Sequence, residues 1–246
     1  MEQARNAPNI RQNALLLTSL VWVIVLGWIF LLSPFDFMES TGLNYFAAAA
    51  LMWVVMMIAV MLPSAMPMIL TFSSVYKKQK EKGNSFVPTW IFVLGYLVIW
   101  SLFAIIAAGG QWLLRINGFL SNDLAIAGPF AGIIIMAAGI YQLTPLKDMC
   151  LRKCQSPFDF LMTNWAEGTK GALIMGLNHG KYCIGCCWFL MILLFAAGIM
   201  NILWVAAIAT FVIIEKLLPP GHWVSKAAGI LLILIGIAIA SGLIHS

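Results

Sequence analysis

The chain has 246 residues, of which 62% are hydrophobic and only 9% charged, with a formal net charge of +5. So few charges cannot cover a soluble domain, and the composition excludes one. The basic excess sits at helix ends, where it sets orientation, and makes no case for nucleic-acid binding.

Residues 1–14 are polar and basic and lead into a long apolar run, as a signal peptide does. That run, 15–32, is longer than a signal core and no small-x-small cleavage site follows it, so it reads as a retained first helix. Further apolar runs cover 45–72, 87–114, 124–143, 172–200, 202–214 and 227–244. A spanning helix needs about 17–25 apolar residues, and lipid leaves the backbone no outside hydrogen-bond partner. The expectation is an all-α polytopic transmembrane bundle of about seven helices, with 202–214 the shortest candidate. Residues 1–246 form one transmembrane domain, with no soluble unit, linker or internal repeat.

Lys and Arg set the topology. Arg5 and Arg11 precede the first helix, Lys77, Lys78, Lys80 and Lys82 follow the second, Lys147, Arg152, Lys153 and Lys170 separate the fourth from the fifth, and Lys216 and Lys226 separate the sixth from the seventh. The alternate connections carry Asp36, Glu39, Asp123 and a single base, Arg115. The N-terminus is therefore expected in the cytoplasm of a bacterium, with the chain in the inner membrane and in contact with the lipid bilayer.

In chain order, the second helix carries Met57 and Met61 on one face, then Pro63, Ser64 and Pro67. Neither proline can donate to the preceding turn, so a kinked or opened helix with free carbonyls near Ser64 is expected. Each Met alone is an ordinary core filler. Gly128 and Gly132 have the spacing of a close helix contact, and the small residues of the last helix read the same way. The longest polar stretch, 147–171, is predicted to be a cytoplasmic loop on the membrane surface. Its Cys150 and Cys154 could capture a metal on one helical turn, and a disulfide between them is disfavoured in a reducing compartment. Gln142 and Thr144 are placed to bond inside the bundle. Glu215-Lys216 reads either as an interfacial charge pair or as a gate or proton-linked carboxylate. His222 and His245 read as surface residues.

The fifth helix holds the run His179-Gly180-Lys181-Tyr182-Cys183-Ile184-Gly185-Cys186-Cys187-Trp188, with Met191 one turn on. At about 100° per residue, His179, Cys183 and Cys186 fall within roughly 60° on one face, and Cys187 flanks it. A single Cys would be a small buried hydrophobe. Three with a His on adjacent turns need more than packing to explain them, because polar groups in lipid face a partner or cavity. Imidazole, thiolate and thioether are the ligand set of copper(I) and of zinc. Cys183-x-x-Cys186 is followed by Cys187 rather than His, so a c-type haem is not indicated.

Three blocks resemble a bacterial family described as metal-binding integral membrane proteins. They are Met56-Met57 through Met61-Leu62-Pro63-Ser64-Ala65-x-Pro67-Met68; Pro145-Leu146-Lys147 with Cys150, Cys154 and Pro157; and Gly176-x-x-His179-Gly180-x-Tyr182-Cys183-x-Gly185-Cys186-Cys187-Trp188 with Met191, running on to Glu215-Lys216. The resemblance implies metal binding, with copper handling as the usual description, and no established reaction.

The preferred function is copper(I) binding, for delivery to a membrane or periplasmic cuproprotein, for its assembly or for transfer across the membrane. An accessory subunit of a larger membrane complex fits the same features. Cys150 and Cys154 would collect the ion, His179, Cys183, Cys186 and Cys187 would hold it, and Met57 and Met61 would give weak, exchangeable contacts, with Met191 a further candidate metal residue. Zinc is the alternative metal. The alternative function is a quinone-linked thiol–disulfide oxidoreductase using Cys183-x-x-Cys186.

Overall fold

The computed structural model describes residues 2–33, 42–81, 87–120, 126, 129–199, 201–218 and 221–243, the side chains of 2–13 and 78–81 excepted. Asp36, Glu39, Lys82, Asp123, Gly128, Pro219, Pro220 and His245 lie outside them. These residues form nine helices and no strand beyond an isolated bridge between Leu120 and Ile126. They are α1 (Glu2–Leu32), α2 (Gly42–Glu81), α3 (Thr89–Ile116), α4 (Pro129–Gln142), α5 (Pro145–Gln155), α6 (Pro157–Asn164), α7 (Gly168–Ala197), α8 (Ile202–Leu217) and α9 (Gly221–Ala240).

Five helices, α1, α2, α3, α7 and α9, contain stretches long and apolar enough to cross a membrane, which makes the chain a multi-pass membrane protein. The fourth candidate span is α4, whose described part starts at Pro129 and ends at Gln142, and which bends by 64° into α5. Pro145 enforces the break, and Thr144 caps α5 by accepting a hydrogen bond from the Lys147 backbone. The sixth candidate is α8, whose 16 residues fall short of a full crossing of about 30 Å.

Two expectations are corrected. The polar stretch 147–171 is not a loop. Most of it is α5 and α6, which pack against α7 and α2 and bury Leu151, Cys154, Phe160 and Leu161. Spacing of four and seven residues from Lys147 puts Lys147, Leu151 and Cys154 on one stripe of α5, and that stripe faces inward. Nor is α2 opened at its prolines. It stays helical through Pro63 and Pro67, and hydroxyls supply extra bonds to the same turns: Ser64 and Tyr96 donate to the Met61 carbonyl at 2.9 and 3.1 Å, and Thr71 donates to that of Pro67 at 2.8 Å.

Small residues let backbones approach. The most extensive pairing is α4 with α9, followed by α3 with α7. A Cβ at Gly132 would lie 2.6 Å from the Ala240 nitrogen, and one at Gly139 would lie 2.7 Å from the Gly229 carbonyl oxygen. Between α3 and α7, Gly95 meets the Leu173 carbonyl in the same way. In lipid such contact replaces the hydrophobic effect as the force between helices. Gly139→Leu is expected to force α4 and α9 apart at a cost of about 1–3 kcal/mol. Thermal unfolding in detergent measures it, with exposed Ile140→Ala as the control that should change little.

Candidate metal centre

The centre is built on one face of α7, in the middle of the helix. His179, Cys183, Cys186, Cys187 and Met191 are all buried there. The helical repeat gathers the sulfurs of Cys183, Cys186 and Cys187 within 4.8 Å of one another. Cys186 and Cys187 donate back to the Cys183 carbonyl at 3.1 and 2.9 Å, the usual resting bond of a thiol inside a helix. Metal–thiolate bonds of about 2.3 Å place sulfurs about 4 Å apart around one ion. Side-chain rotation, without movement of the helix, would close the three onto a metal.

Neighbouring helices add donors. Cys154 on α5 puts its sulfur 3.9 Å from that of Cys186, and Met61 on α2 puts its thioether 3.9 Å from the Cys187 sulfur. Half-buried Cys150 lies against Gly185, where a Cβ would come within 2.6 Å of its sulfur. Only the absence of a side chain at Gly185 lets the Cys150 thiol rest on α7. Met57 is buried one turn before Met61, and Met191 one turn after Cys187, both within the same core. All five cysteines are free thiols.

His179 stands apart from the three-sulfur group. Its ring lies among Phe92, Tyr96 and Phe160, with centroids 6.0, 5.4 and 5.5 Å away. Its Nδ1 is buried and has no hydrogen-bond partner among the described residues. An open nitrogen lone pair or N–H inside an apolar bundle is costly unless something binds it. A metal or a water held one turn before Cys183 would satisfy it.

The feature that sequence reasoning missed is the charge beside the sulfurs. Lys216 and Glu215, read from the sequence as an interfacial charge pair or as a gate or proton-linked carboxylate, point about 100° apart on α8 and join different clusters. The Lys216 ammonium donates to the Cys183 sulfur at 2.9 Å and to the Ser64 hydroxyl at 3.1 Å. Tyr96 bonds the same sulfur at 3.1 Å. A thiolate in an apolar interior needs such a countercharge. The available signal was a lone Lys in the apolar stretch 202–218, since an ionisable residue at membrane depth marks a site by default. Glu215 forms a buried ion pair with Lys147 at 2.5 Å, and Ser225 also donates to it. Gln142 accepts from the same Lys147 ammonium.

Buried sulfur ligands, a thioether, an unpartnered imidazole nitrogen and one fixed positive charge suit a soft, low-charge ion. The fold and centre together define a multi-pass membrane protein with a buried cysteine group that could hold a metal ion. Residues 50–239 match the family model for PpoB2, described as a copper chaperone, and the chain belongs to that family. No curated protein and no solved structure matches it. Family and cysteine cluster together give the protein a copper-related role.

Proposed function

We propose that the protein binds copper(I) as cargo at Cys183, Cys186 and Cys187 and passes it to a cuproprotein in or beside a bacterial inner membrane. The observation that carries this reading is the buried three-sulfur group with Lys216 set against Cys183. Sulfur ligands favour copper(I) over harder ions, and the apolar surroundings keep water from competing. His179 offers a nitrogen ligand from the preceding turn.

The sulfurs also form a graded route. Cys150 is the partly exposed member and rests on Gly185, Cys154 lies 3.9 Å from Cys186, and Met61 lies 3.9 Å from Cys187. Copper would enter at Cys150 and Cys154, rest on the three cysteines, and leave by the weaker thioether contacts of Met61 and Met57. Lys and Arg asymmetry supports a cytoplasmic N-terminus and entry from that side.

Anaerobic loading with copper(I), followed by X-ray absorption spectroscopy and transfer to a metal-free cuproprotein, tests the proposal. A reduced copper ion with mainly sulfur neighbours, released to the acceptor faster than to a chelator in buffer, is the expected result. Zinc in its place, no bound metal, or no transfer would overturn it.

A further inference from the structure

A second polar site lies where α4 breaks into α5. A cavity of about 220 Å³ opens there, lined by the first turns of α5 and α9. Gln142, Lys147, Asp148, His222, Ser225 and Lys226 supply its polar wall. Gln142 is only 4% exposed, and its Nε2 has no hydrogen-bond partner among the described residues. The acidic groups nearby are already engaged: Glu215 accepts from Lys147 and Ser225, and Asp148 pairs with Arg152. Lys226 has no acidic partner among the described residues, and its ammonium lies 5.4 Å over the Trp223 ring. Apart from the Asp148 carboxylate, which Arg152 neutralises, the cavity presents N–H donors and the spare positive charge of Lys226. Two helix N-termini add the same sign of partial charge.

We infer that this cavity binds the phosphate group of an anionic phospholipid. The phosphate oxygens would accept from Gln142 Nε2, Lys226 and His222, and the first turn of α9 would face them. Trp223, which is 64% exposed, and Lys226 are the residue types that anchor helices at headgroup level. Basic pockets between membrane helices are established receptors for anionic headgroups. This site shares no side chain with the cysteine cluster, and its test is independent of copper.

The full-length protein, purified in detergent, would be given an equal mixture of phosphatidylglycerol and phosphatidylcholine, and retained lipid read by native mass spectrometry. Phosphatidylglycerol should be retained preferentially. Lys226→Gln should reduce that retention about fivefold, the factor for one surface cation. His222→Gln, also exposed and remote from the core, should act in the same direction. Inorganic phosphate should displace the lipid only at far higher concentration. Should inorganic phosphate bind as tightly as the lipid, with the same dependence on Lys226, the phosphate chemistry stands and the lipid source falls. Equal retention of both lipids, or retention unchanged in both variants, would overturn the inference.

Discussion

Cys183→Ser is expected to strip the purified protein of most of its copper(I), weakening binding by more than about 100-fold. Cys183 is the member of the sulfur group that Lys216 and Tyr96 both touch, at 2.9 and 3.1 Å. Its carbonyl also holds the thiols of Cys186 and Cys187 in place. Losing the sulfur removes a ligand and leaves a buried ammonium facing a hydroxyl that cannot carry the compensating charge. Lys216→Met removes the countercharge but no sulfur, so its effect should fall in the range of about 10–100-fold typical of groups behind the ligands. Met191→Leu, which keeps the volume and leaves the three-cysteine group intact, should change little. Anaerobic competition against a chromogenic copper(I) chelator ranks the three, with helicity by circular dichroism as the folding check. Undiminished copper in a folded Cys183→Ser protein would end the case for this centre.

That ranking depends on features that were unequally legible in the chain. The membrane class followed from apolar run length alone, and the shared face of His179, Cys183 and Cys186 followed from the helical repeat. Both are local properties of one helix. What could not be read was which side chains of other helices meet that face. Lys216 reaches Cys183 only because α8 packs on α7 in one register, and no spacing rule links positions 183 and 216. The same is true of α5. Its apolar stripe is too short to distinguish from a surface helix, and the contact of Cys150 with Gly185 is fixed by packing. The proline argument went too far in one respect. Removing a donor predicts a local defect, but α2 continues as one helix through Pro63 and Pro67, so the lost bonds do not open it.

The largest effect on stability is expected at the Lys147–Glu215 pair. The two side chains are 1% and 0% exposed, and their charged atoms lie 2.5 Å apart, joining α5 to α8. Ser225 extends the link to α9, and Gln142 extends it to α4. Four helices thus meet on one ion pair. Glu215→Leu leaves the Lys147 ammonium buried against Gln142 alone, and breaking a buried pair in this way costs about 3–5 kcal/mol. The reverse change, Lys147→Met, strands the carboxylate and should cost a similar amount. Removing both charges together is another matter. A Lys147→Met, Glu215→Leu double variant replaces the pair with apolar groups of similar volume, which is often neutral or stabilising. Denaturant unfolding of the four proteins in one detergent closes the cycle. The expected outcome is two strongly destabilised single variants and a double variant near the parent, a strong non-additivity. Single variants of parental stability would mean that the pair does not bind the helices together. A double variant as unstable as the singles would assign the stability to the hydrogen bonds of Gln142 and Ser225 rather than to the charges.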